Sequence, residues 1–210
     1  MEGQQNTLGC IAACLYQARC CFAEQGEGLT TSFPQMLSAF RGAHPLRAMK
    51  IQAANHDELV QMSAADGMVD IEAAGAAALS GLPEVRTAPR DWEAAAAGRW
   101  LWVVGGSDFT SADEFGPWGA SRTSGCVKHS NLTGGAPAHS GGEIWRIKDK
   151  GLLLNAASGR YGAEGEAELN GVVDVLRSLG FAVGSMGFDI DNSAVANRVV
   201  VSDVAWLPAL

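Results

Sequence analysis

Cations are scarce in this 210-residue chain and nowhere form a run. The 15 Lys and Arg face 23 Asp and Glu, for a formal net charge of −8. Without a basic patch there is no footprint for a phosphate backbone or an anionic bilayer, so neither nucleic acid nor membrane is an expected partner. Long apolar runs are lacking too. The longest nearly uncharged one, Leu8 to Ala18, is too short to cross a bilayer. It does not read as a signal peptide either, because Glu2 replaces the basic leader and Gln17 and Arg19 interrupt the apolar segment. The five Cys are an odd number, and four of them crowd at positions 10, 14, 20 and 21. That spacing suits free thiols on one helix and not a secreted disulfide framework. CxxC pairs and matched His spacings are absent, so no metal site is expected. The expected setting is the cytoplasm, or the interior of a target cell reached without a classical signal peptide.

What is present sorts into two halves. Ile11, Leu15, Ala18 and Phe22 predict a helix over 8–23, stopped by Gly26 and Gly28. Thr31 or Ser32 caps a second, with Pro34 in its first turn and Met36, Leu37 and Phe40 facing inward. A third runs from Asn55 or Asp57 to Gly67, an Ala-rich fourth from Asp70 to Leu79, and a short fifth over 91–97. From Trp100 the period changes. WLWVV predicts a central strand, 107–124 an aperiodic loop, and 126–132, 142–148 and 151–156 further strands with an Asp149-Lys150-Gly151 turn. A helix from Glu166 to Leu179, stopped by Gly180, precedes last strands at 181–188 and 198–204. Helices first and mostly antiparallel sheet second, with one packed helix, make an α+β fold of four to six strands. The expected division is a helical region, 1–98, and a site-bearing region, 99–210, within one compact domain.

The stretch from Cys126 to Tyr161 concentrates polar groups beside glycines: His129, Ser130, Asn131, Gly134, Gly135, His139, Glu143, Asn155, Ser158, Gly159, Arg160 and Tyr161. Packing alone does not call for that combination, so the site is expected here. The motifs HSNLTGG, GGEIW and SGRYG, the last leading into an amphipathic helix, span residues 100–185 together with WLWVV. This segment resembles the H-S-S-F-L-A-G-G … S-G-H-Y module of plant IQ-motif calmodulin-binding proteins and of bacterial toxin-type carboxy-terminal domains. The resemblance implies roles for His129, Ser130, Gly135, Gly142, Ser158, Gly159 and Tyr161, and Arg160 stands where the module often has His. Ile51-Gln52 is followed by AANHDELV, which lacks the basic residues of a calmodulin-binding helix, so calmodulin is not an implied partner. A toxin-type module does imply an immunity protein as a possible partner.

Three readings of the cluster stand open. In the first, the chain is a toxin- or effector-type enzyme acting on a nucleotide-like ligand, as an ADP-ribosyltransferase or NAD glycohydrolase does. His129 holds a ribose hydroxyl, Tyr161 stacks on nicotinamide, and Glu143 (Asp189 as a weaker choice) stabilises oxocarbenium-like charge. Arg160, Ser130, Asn131, Gly134, Gly135, Ser158 and Gly159 grip the ligand. NAD is then a substrate, and no cofactor is required. In the second, it is a papain-like cysteine hydrolase or deamidase. Cys10 is the thiolate, His139 the acid–base, Asn155 the orienter sixteen residues on, and Gln4 part of an oxyanion hole. In the third, it is a non-catalytic binding module in which Asn131, Asn155 and Ser158 close turns, His129 meets a backbone carbonyl and Arg160 pairs with Glu164.

Overall fold

Helix α1 (Phe33–Ala43) starts where its sequence signals place it, in a computed structural model that describes residues 31–86, 98–188 and 204–210. The Gln35 side chain accepts the Ser32 N–H at 2.9 Å, and Pro34 sits in the first turn, where its missing N–H needs no partner. Phe33, Leu37 and Phe40 are its buried face. The described residues belong to one compact unit, Thr31–Leu210. The helices expected over 8–23 and 91–97 lie outside them.

The expected third helix is replaced by two single 3-10 turns, His56–Leu59 and Ala64–Asp66. Asn55 caps the first by accepting the Glu58 N–H at 3.3 Å, and the Glu58 carboxylate turns inward to Arg160. The Ala-rich stretch follows strand β1 (Val69–Asp70) and is broken at Gly75, whose φ of +58° no continuous helix accommodates. It gives α2 (Ile71–Ala74) and α3 (Ala76–Ser80), then strand β2 (Glu84–Val85).

Strand β3 (Trp100–Gly105) is central and buried on both faces, which is why its sequence shows no polar alternation. The segment 107–124 is not one loop: it holds strand β4 (Phe109–Asp113) and a short helix α4 (Pro117–Ala120). The polar residues that hide β4 are absorbed by the core, with Ser111 Oγ donating to the Leu101 carbonyl at 2.7 Å. Residues 126–132 are not a strand either, because His129–Thr133 form the short helix α5. Strands β5 (Ala138–Ile147) and β6 (Gly151–Leu154) make the expected hairpin, with Asp149 at φ 60° in its turn. Helix α6 (Glu166–Arg177), strand β7 (Val183–Ser185) and strand β8 (Trp206–Leu207) complete the described residues. Most of the expected strand at 198–204 lies outside them.

The sheet is larger than expected and mixed: eight strands in the order β1-β4-β3-β5-β6-β7-β8, with β2 pairing the far end of β5. Only the β2–β5 and β6–β7 pairs are parallel. The class is α+β. Side chains alternate across the strands. Trp102, Val104, Ile144 and Leu154 meet α1 and α6 on one face. Leu101, Val103 and Ala112 meet Met62, Val127, Leu132 and Tyr161 on the other.

Gly142 lets β5 sit this deep. A Cβ on Gly142 would lie 2.1 Å from the Asn155 carbonyl oxygen and 2.8 Å from the Trp102 ring, so no side chain fits. Gly142→Ala is expected to lower unfolding free energy by about 3 kcal/mol. Gly42→Ala, within α1 and with nothing in reach of the added carbon, is expected to raise it by about 0.5–1 kcal/mol. Denaturant titration of both variants checks the opposite signs.

Candidate functional site

Helix α5 owes its existence to local polar bonds. Asn131 Oδ1 accepts the Lys128 N–H at 2.8 Å, which starts the helix, and Gly134 at φ 62° ends it one turn later. Ser130 and the amide nitrogen of Asn131 are committed to the turn at 56–60. Ser130 Oγ donates to the Glu58 carbonyl at 2.6 Å. Asn131 Nδ2 donates to the carbonyls of Asp57 and Val60 at 3.0 and 2.9 Å. The Gly135 N–H donates to Ser130 O and Thr133 Oγ1, both at 3.1 Å, and the Gly134 N–H to Ser130 O. Neither glycine offers a free donor for a phosphate.

The loop after β6 is tied down in the same way. Ser158 Oγ accepts the N–H groups of Arg160 and Tyr161 at 3.3 and 3.0 Å. Gly159 lies under Ile51, whose Cδ1 would be 2.9 Å from an added Cβ. Arg160 pairs with Glu58, while Glu164, its expected partner, faces Arg47 and Lys50. The expected pyrophosphate clamp is thus an internal ion pair.

His129 and Tyr161 do share one side of β5, flanking Gly141: a Cβ there would be 3.4 Å from the imidazole and 3.2 Å from Tyr161 Cβ. They do not line an open hollow. Tyr161 is 1% exposed, and its hydroxyl donates to the Ala136 carbonyl and meets Thr133 Oγ1, each at 2.9 Å. Burial pushes its phenol pKa up. A ring so placed is a core residue and does not stack on a ligand. His129 is 8% exposed, with Nε2 at 3.0 Å from the Gly142 carbonyl. A carbonyl only accepts, so Nε2 carries the proton. Burial pushes the imidazole pKa down to about 4, so the ring is neutral at physiological pH.

The structure does not bring His139 and Asn155 together. Pairing shifts register between Val104–Ser140 and Gly105–Ala138, which leaves His139 as an extra residue in a bulge. Its ring turns toward Phe40, and Nδ1 lies 2.6 Å from the His44 carbonyl oxygen. Asn155 instead faces Glu143 and Met186. Cys10 and Gln4 lie outside the described residues.

What Asn155 does hold is a buried charge cluster. Arg99, 1% exposed, directs Nε to Glu114 at 2.5 Å and Nη1 to Glu143 at 3.2 Å. Glu143 also receives Asn155 Nδ2 at 2.9 Å, while its own N–H donates to Asn155 Oδ1 at 3.1 Å. The Phe115 ring lies 5.3 Å from the guanidinium. Burial outweighs the guanidinium and, with Glu143 alongside, lifts the Glu114 pKa to about 7; burial raises that of Glu143 as well. Arg99 and Glu114 were not expected in the site. The available signal was an arginine directly before the apolar run WLWVV and an acidic pair, Asp113-Glu114, at the end of its neighbour. Among the described residues no group of three or more His, Cys, Asp or Glu is placed to hold a metal. No family model, curated protein or solved structure matches this chain.

His129 and Glu114, the two groups with large shifts, pull stability in opposite directions. His129, depressed from 6.5 to about 4, gives stability that is full above pH 6.5 and lost as pH falls toward 4. Glu114, raised from 4.5 to about 7, gives stability that is full below pH 4.5 and lost as pH rises through 7. Each amounts to about 3 kcal/mol at its limit. Thermal midpoints of the parent protein are therefore expected to change little across the overlap. His129→Gln should leave a stability that falls with pH and Glu114→Gln one that rises. Parallel slopes for the two variants in a pH series of melting curves would refute these assignments.

Proposed function

We propose that the chain is an acid–base enzyme whose reacting groups are Glu143 and Glu114, and that it cleaves or transfers the glycosidic bond of a nucleotide-like ligand. The observation that carries this reading is the carboxylate pair held on one buried guanidinium, with Glu114 lifted to about 7. Acid–base catalysis uses a group whose proton is half present at neutral pH. Glu143 takes the part of the carboxylate that faces oxocarbenium-like charge. As the glycosidic bond breaks, its electron pair leaves with the aglycone and the anomeric carbon becomes electron-poor beside Glu143. Water or an acceptor hydroxyl then bonds to that carbon, and its proton passes to Glu114.

His129 is retained as a neutral group next to Gly142 that orients the strand carrying Glu143. Tyr161, Arg160, Ser130, Asn131 and Ser158 become framework residues. The resemblance of residues 100–185 to toxin-type modules supports action inside a cell, in the cytoplasm, with an immunity protein as partner and NAD as first substrate. A helical amino-terminal half belongs to the same reading, as does the soluble setting. Among the described residues no helix is long and apolar enough to cross a membrane.

A second reading, a binding module without catalysis, is favoured by a specific observation: the polar side chains of Ser130, Asn131, Ser158 and Tyr161 all make bonds that hold the fold. Release of nicotinamide from NAD, or of base from nucleosides, separates the two. Glu143→Gln and Glu114→Gln are each expected to lower turnover on the order of 100- to 10,000-fold. Tyr161→Phe should change kcat/KM less than about tenfold while lowering stability by about 1 kcal/mol. Turnover that survives both Glu variants, or none in the parent protein, rules out the enzymatic reading.

A further inference from the structure

The two carboxylates on Arg99 are not equivalent. Glu143 forms an ion pair with Arg99, Nη1 lying 3.2 Å from Oε1, and accepts a hydrogen bond from Asn155 Nδ2 at 2.9 Å on Oε2. Glu114 meets Arg99 Nε at 2.5 Å through Oε2, and among the described residues no side-chain amide donates to it. Hydrogen bonds donated to a carboxylate favour its charged form, and a carboxyl that lacks the amide donor keeps its proton more readily in the same burial. Lys128 adds a cationic field at Glu114, but burial exceeds it. Asn155 is itself locked, because Oδ1 accepts the N–H groups of Glu143 and Ala157 at 3.1 and 2.8 Å. Its orientation therefore presents a donor, not an acceptor, to Glu143 Oε2.

We propose that Asn155 is the positioning residue that divides the pair, holding Glu143 as the carboxylate and leaving Glu114 as the carrier of the single exchangeable proton. The division rests on the reading of Glu114 and Glu143 as the reacting groups only for its catalytic meaning. Where the proton resides is a property of the folded chain with or without turnover. The arrangement also gives the two glutamates the distinct roles that a glycosidic cleavage needs, one charged and one able to give or take a proton.

Carboxyl-carbon NMR of the full-length chain labelled with δ-13C glutamate tests this directly. One Glu resonance is expected to titrate near pH 7, to vanish in Glu114→Gln, and to persist in Glu143→Gln with its midpoint lowered as the neighbouring charge is lost. Asn155→Asp keeps the two backbone acceptor bonds but removes the donor, and Asn155→Leu removes both. In either variant the Glu143 resonance should move up by about one unit or more, toward the neutral range. The pH–rate profile of Asn155→Leu, which adds no charge, should shift with it, which a purely structural role would not produce. The proposal is overturned if the near-neutral resonance vanishes in Glu143→Gln and not in Glu114→Gln, or if the Glu143 midpoint stays put in Asn155→Asp. Should Asn155→Leu fail to fold, the parent protein and the two Glu variants still decide where the proton sits. A correct titration pattern without any turnover would sink the proposed function and leave this assignment standing. Turnover with the pattern reversed would do the opposite.

Discussion

A guanidinium almost fully removed from water must be met by carboxylates, and Arg99 sets the terms for the middle of this sheet. It stands directly before β3, and among the described residues it meets Glu114, just after β4, and Glu143, within β5. Asn155, just past β6, fastens Glu143 from the far side. Four neighbouring segments thus converge on one set of charges at the end of the sheet where β3 begins. Removing one partner from a buried ionic group costs about 3–5 kcal/mol, because the remaining charge is left without compensation. Replacing the whole set with apolar residues would cost far less, so stability alone gives no reason for charge here.

The other polar concentration has a different character. Along α5 and the loop at 158–162, almost every hydroxyl and amide is matched to a backbone group or a fixed side chain of the 56–60 turn. These bonds hold an irregular segment, whose own hydrogen bonding is sparse, against the sheet. The Arg160–Glu58 pair and the bond from Lys50 Nζ to the Gly162 carbonyl at 3.0 Å extend the same seam. A group already bonded at short distance to the backbone offers little to a ligand, since binding would have to break that bond first. Residues rich in chemistry thus do structural duty along this seam.

How much of this was legible follows from where the signals lie. Helix α1, strand β3, the β5–β6 hairpin and helix α6 carry their own caps, periods and turn residues, so local sequence places them. Helix α5 is not legible because His129 to Thr133 is too short to show a period, and its one cue, Asn131 reaching back to Lys128, looks like any turn signal. Strand β4 was missed because Thr110 and Ser111 are buried, against their usual preference. The turn at 56–59 replaced a helix through a tertiary pair, Glu58 with Arg160, some 102 residues apart in sequence. Glu143 and Asn155 were both recognised as candidates, but in rival schemes. Their contact depends on β5–β6 register, and no spacing rule distinguishes it from a His–Asn pairing.

The bulge at His139 turns that ring toward Phe40 and away from Asn155, so the strand that seemed to deliver an acid–base imidazole delivers a carboxylate instead. Four residues along β5, at Glu143, the alternation is regular again and the side chain falls on the face shared with Leu101 and Ala112. His129 lies on that same face, but burial leaves its imidazole uncharged and its Nε2–H committed to Gly142. A neutral ring bonded to the backbone beside Glu143 fixes the strand without competing for Arg99. The imidazole supports the geometry, and of the two carboxylates on Arg99 it is Glu114 that burial lifts to about 7.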